Sequence, residues 1–96
     1  MKYIIWHWTG GTYEPNDIER EHYHIIIDGE GNIHKYPECK YKPEDNIDCT
    51  DGNYAQHTGG GNTGAIGIAV CGMLTPKYPI KPIQLEALYK ETAALS

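Results

Sequence analysis

Five histidines, three cysteines and eight tyrosines hold most of the reactive chemistry in this chain of 96 residues. His7 stands out by position. It lies near the end of Tyr3-Ile4-Ile5-Trp6-His7-Trp8-Thr9-Gly10-Gly11, an apolar run closing in Thr-Gly-Gly. An imidazole at the end of a strand, beside a glycine-rich loop, can bind a metal or move a proton. The same ring could equally be a hydrogen-bonded core histidine. His22 and His24 fall on one face of an extended segment, which leaves a two-histidine metal site open, and His34 has no assigned role. The cysteines are Cys39, Cys49 and Cys71. An odd count with no secretory leader argues against a disulfide framework. The spacing of Cys39 and Cys49 matches no common metal knuckle. Free thiols are expected, with Cys71 a small core hydrophobe.

These residues must be positioned by a few short elements. The opening run reads as a buried strand with Tyr3, Ile5 and His7 on one side and Ile4, Trp6 and Trp8 on the other. Residues 15–20 can hold a short helical turn, with Asp17 and Glu19 suited to its N-terminal end. His22 to Tyr36 is the best hairpin signal, two arms flanking Asp28-Gly29-Glu30-Gly31-Asn32. Its three isoleucines predict burial on both faces and a central place in the sheet. Residues 37–53 read as a long loop. Ala65 to Met73 reads as a second buried strand, where Gly67 and Ala69 predict close packing by a neighbour. After a proline-rich connection over residues 75–82, the spacing of Leu85, Leu88, Thr92 and Leu95 predicts a helix over 82–96, with Pro82 in its first turn.

The bulk properties narrow the function. A chain this short makes one domain that buries roughly 60–65% of its unfolded surface. The net charge is -5, with eight basic residues scattered along the chain. That argues against nucleic acid or an anionic membrane as partner. No leader peptide and no span of about 18 apolar residues is apparent, so synthesis in the cytoplasm is expected.

Three segments in order resemble the zinc-dependent N-acetylmuramoyl-L-alanine amidase family, which includes phage lysozyme-type endolysins and peptidoglycan recognition proteins. They are Ile5-Trp6-His7-Trp8-Thr9-Gly10; Tyr23-His24-Ile25-Ile26-Ile27-Asp28-Gly29; and Gln56-His57-Thr58-Gly59-Gly60-Gly61-Asn62 with Ala65-Ile66-Gly67-Ile68-Ala69-Val70-Cys71-Gly72. The resemblance implies an α/β fold of the α+β type, a mixed sheet of four to five strands with flanking helices, as one domain over residues 1–96. It implies hydrolysis of the amide joining N-acetylmuramic acid to L-alanine in peptidoglycan, as in phage or prophage lysis of the cell wall. His7 matches a zinc ligand, Tyr23 a catalytic tyrosine aimed at the metal-bound water, and His57 and Asn62 substrate-contacting positions. His24 is expected to pack or hydrogen-bond behind the sheet.

Two departures follow. Where one branch carries a glutamate base this chain has Ala69, which sides it with the tyrosine-using branch. The family's other two zinc ligands follow the final helix, and this sequence stops within it. The expectation is therefore a domain incomplete at its C-terminus, with weak zinc affinity and impaired activity. The alternatives are a metal-free peptidoglycan-binding module, an inactive prophage remnant, or zinc held by His7 with His57 or Cys71. Pairing of two copies through Leu85, Leu88 and Leu95 of the last helix is also expected.

Overall fold

The computed structural model describes residues 3–47, 49, 52–58, 62–73 and 77–95. Parts of the long loop (residues 48, 50 and 51), the glycine run 59–61, the start of the proline-rich connection (residues 75 and 76) and residue 96 lie outside the described residues. The sheet has four strands: β1 (Tyr3–Trp8), β2 (Ile25–Ile27), β3 (Ile33–His34) and β4 (Ala65–Val70). Their order is β1-β4-β2-β3. β4 runs parallel to both β1 and β2, while β2 and β3 form the antiparallel hairpin. The expected mixed sheet with flanking helices is what the chain forms.

β4 is buried along its whole length, and so is β2. Both lack the alternation of a half-exposed strand, and both have a strand on each side. β1 departs from expectation. It is an edge strand, with Tyr3, Trp6 and Trp8 more than half exposed. Trp6 leans on a helix instead of entering the core: its Nε1–H donates to Thr92 Oγ1 at 3.0 Å, and its ring lies 5.7 Å from that of Tyr89.

That helix is α2 (Pro82–Leu95). Leu88 packs into the main core with Ile25, Ile27, Ile66, Ile68 and Val70. Of the three leucines nominated for pairing copies, Leu88 is therefore internal, and only Leu85 and Leu95 remain exposed. Buried Gln84 ties the helix to the sheet, its amide donating to the Cys71 carbonyl at 2.6 Å.

The opposite face of the sheet carries α1 (Asp17–His22) and the loops after the hairpin. Asn16 caps α1 with the side chain of Glu19 returning the bond, a reciprocal capping box. Cys39, expected in a polar loop, is instead buried against Ile26 and Cys71, and burial pushes its thiol up to about 11. All three cysteines are free. No helix among the described residues is long and apolar enough to cross a membrane.

Candidate active site

The register of the sheet decides which side chains meet. His7 pairs with Ala69, and Ala69 with Ile26. Paired residues of parallel strands point the same way, so His7, Ala69, Ile26 and, two residues earlier, His24 share a face. His24 is thus on the His7 side of the sheet, not behind it. It does hydrogen-bond as expected. The Gly67 amide donates to its Nδ1 at 2.9 Å, which leaves Nε2 to donate to Asn46 Oδ1 at 2.9 Å.

Asn46 lies in the 3-10 turn Pro43–Asn46 and is fully buried. Its Oδ1 also accepts the Ala55 amide, and its Nδ2 donates to the carbonyls of Ala55 and Asn62. This one side chain anchors the segment that carries His57. Asn62 completes the anchoring, its Oδ1 accepting the amides of His57 at 3.1 Å and Thr58 at 2.8 Å. Asn62, expected to contact substrate, uses its Oδ1 on these two amides.

His57 lies on the bare backbone of Gly67, the close packing that glycine predicted. A Cβ at Gly67 would sit 2.5 Å from the ring. Gly67→Ala is accordingly expected to displace His57 and cost about 1–3 kcal/mol. Thermal unfolding together with the histidine ring resonances would show both effects, and an unshifted His57 would contradict the packing described.

Three rings converge at the end of β1. His7 lies 5.3 Å from Tyr23 and 5.3 Å from His57, centroid to centroid. His7 Nε2 is 3.3 Å from His57 Nδ1, and Thr58 Oγ1 is 3.3 Å from the first and 3.0 Å from the second. The other nitrogen of His57, Nε2, donates to the Ala65 carbonyl at 3.3 Å. Burial lowers His7, and burial lowers His57 to about 4 with His24 and His7 adding to it. Both rings are neutral at pH 7. Tyr23 is raised by burial and by Glu19, so its phenol keeps its proton and can donate it in a hydrogen bond.

On its other side Tyr23 borders a depression of about 380 Å³, lined by Thr9, Ile18, Glu19, His22 and Gln56 among others. Glu19 and Thr58 are the residues sequence reasoning did not place here. Glu19 is 8% exposed, and burial raises its carboxyl. The Asn16-x-x-Glu19 spacing signalled a cap, but nothing local signalled a wall of a groove. His22 ends α1 and donates from Nδ1 to the Gln56 carbonyl at 2.8 Å, so His22 and His24 do not share a strand face.

His34 is outside the site. Burial opposes its protonation, but Asp28 Oδ2 at 2.8 Å and Glu38 Oε2 at 2.6 Å outweigh that and raise it. Cys71 is packed with Ile26 and Cys39, and burial pushes its thiol up to about 12, which does not suit a metal ligand.

The N-acetylmuramoyl-L-alanine amidase family model matches residues 1–96. The chain belongs to this family. No curated protein and no solved structure matches the amidase chain significantly. The family's reaction class is peptidoglycan amide hydrolysis, and the cell wall is the substrate that membership supports.

Zinc can be tested against the donors present. A catalytic zinc takes three protein ligands and keeps one position for water. Among the described residues no three His, Cys, Asp or Glu side chains converge as such a set. They bring together two imidazoles and one hydroxyl. The described residues of this amidase do not complete the three-ligand seat.

Proposed function

We propose that this chain cleaves the amide between the lactyl group of N-acetylmuramic acid and L-alanine in peptidoglycan, with a role in phage or prophage lysis of the wall. Zinc belongs to the proposal as cofactor, His7 being its matched ligand. The observation that supports the reading is the meeting of His7 and Tyr23 at 5.3 Å beside an open depression. A phenol that stays protonated can donate to the oxyanion that develops when the amide carbonyl is attacked. Glu19, Thr9 and Gln56 offer hydrogen-bonding groups to a peptide lying in the depression.

The test is release of L-alanine amino termini from purified peptidoglycan. Tyr23→Phe is expected to lower the rate on the order of 100-fold, the usual effect of removing one oxyanion donor, with binding to insoluble wall unchanged. Equal rates would remove Tyr23 from the mechanism.

The absence of a convergent three-ligand set among the described residues favours a second reading, a metal-free peptidoglycan-binding module. It predicts sedimentation with insoluble wall that a chelator does not change, and no release of amino termini at any zinc concentration.

A further inference from the structure

We infer that the depression beside Tyr23 continues into a second one, where Lys40 and Glu21 receive a stem-peptide residue carrying both a carboxylate and an ammonium group. This deepens the proposed hydrolysis and rests on it for the peptide in the groove. The first support is continuity. A hollow of about 170 Å³ is lined by Glu21, His22, Lys40, Tyr41, Tyr54 and Gln56. Two of these, His22 and Gln56, also line the depression that Tyr23 borders. His22 Nδ1–H donates to the Gln56 carbonyl at 2.8 Å, so the two hollows share one hydrogen-bonded wall.

The second support is charge. Arg20 is paired with Asp17 and Glu38, Lys35 with Glu91 and Lys90 with Glu86. Among the described residues Lys40 and Glu21 have no such partner, and they do not pair with each other. Lys40 Nζ lies 5.3 Å from the centre of the Tyr41 ring. Two opposite charges in one hollow, neither neutralised, complement a ligand that bears both, whereas a group of one sign would also meet a like charge. Tyr41 and Tyr54 add apolar ring faces for the aliphatic part of such a residue.

The third support is that both walls are fixed. The Lys40 amide donates to the carbonyl of Arg20, the residue before Glu21, at 2.9 Å. The Arg20–Glu38 pair at 3.1 Å fastens the same stretch to α1. Opposite, Asn46 holds both the amide and the carbonyl of Ala55, between Tyr54 and Gln56. A ligand therefore has only side-chain ends to order.

Stem peptides of peptidoglycan carry a diamino acid. Its side chain ends in an ammonium alone, as in lysine, or in an ammonium beside a carboxylate, as in diaminopimelate. The hollow suits the second. Glu21 takes the ammonium in either case, and Lys40 takes the carboxylate that only diaminopimelate has. Lys40 is thus a specificity-determining residue, remote from the bond that breaks.

The test uses the full chain and two synthetic peptides, N-acetyl-L-alanyl-γ-D-glutamyl-diaminopimelate and its lysine counterpart, both amidated at the C-terminus. Amidation leaves the side-chain end as the difference between them. Calorimetry reads the dissociation constants, and backbone ¹H–¹⁵N shifts read the place of binding. The native chain is expected to bind the diaminopimelate peptide about fivefold more tightly, the upper worth of one exposed ion pair. Lys40→Ala should erase the preference, Lys40→Arg should keep it, and Glu21→Gln should weaken both peptides alike. Both side chains are exposed, so these variants keep the fold. The amides of Lys40, Tyr41 and Tyr54 should shift together with those of Glu19 and Tyr23. Equal affinities for the two peptides, a preference that survives Lys40→Ala, shifts confined to the first depression, or no binding of either peptide at millimolar concentration overturns the inference. Hydrolysis of purified wall is read separately. A Lys40-dependent preference without release of amino termini sinks the proposed activity alone, and release of amino termini with equal peptide affinities sinks the subsite alone.

Discussion

Asn46→Ala is expected to remove a large share of the stability of this domain. The side chain satisfies four groups at once: His24 Nε2–H, the Ala55 amide, and the carbonyls of Ala55 and Asn62. Each buried polar group left without a partner costs about 1–3 kcal/mol. Water entering the vacated space recovers part of this, so a loss of about 4–6 kcal/mol is expected. A domain of this size has roughly 5–14 kcal/mol in total. Urea unfolding followed by tryptophan fluorescence measures the loss. Asn46→Asp keeps the two acceptor functions and forfeits both donors, and it should fall between alanine and the native residue. A loss below about 1.5 kcal/mol for alanine would show that the four groups find other partners.

Acid is expected to destabilise the metal-free chain well above the range in which carboxylates titrate. His24, His57 and His7 are all held below an ordinary imidazole, in each case chiefly by burial. For such groups the unfolded chain takes up the proton first. Stability is therefore fully present above about pH 6.5 and declines as pH falls toward the folded values. For His57, falling to about 4 in the folded chain, the limit is about 3 kcal/mol, and solvent at the half-exposed ring reduces it to on the order of 1–2. His24 adds in the same direction, since protonating it abolishes the bond accepted from the Gly67 amide.

His34 has the opposite sign. Its raised value means that its contribution is whole below about pH 6.5 and disappears as pH rises through the folded value. One network near the surface does not offset three more deeply buried rings. Unfolding midpoints should fall steadily between pH 7 and pH 4.5, and His57→Asn should flatten that slope. A flat native profile over this interval would mean that the rings are better solvated than their burial implies.

Much of this architecture could be read from residue order, and for clear reasons. β2 and β4 are short runs without alternation, and a strand with neighbours on both sides needs no polar face. Gly67 announced a close neighbour because a strand interior gains nothing else from glycine. α2 was legible from Pro82 and its leucine spacing, and α1 from Asp17 and Glu19. His7 and Tyr23 were nominated together through the family motifs, and they do lie side by side.

What was not legible depends on long-range partners. Nothing within Tyr3–Trp8 distinguishes a central strand from an edge strand whose Trp6 rests on a helix more than 70 residues later. Asn46 sits among asparagines and aspartates typical of a loop, and only its contacts with His24, Ala55 and Asn62 separate it from them. Cys39 is surrounded by polar residues in sequence and by apolar ones in space. The pairing of His7 with His57 joins residues 50 positions apart, and no periodicity reports it.

β4 pairs on one side with residues 62 positions earlier, Tyr3 with Ala65 through Trp8 with Val70. A large loop must close before that ladder can form, and loop closure of this kind slows folding. The β2–β3 hairpin can form from neighbouring residues at once, but the imidazole pair cannot exist until β4 has docked. During synthesis the corner where His7, Tyr23 and His57 meet is therefore among the last things assembled.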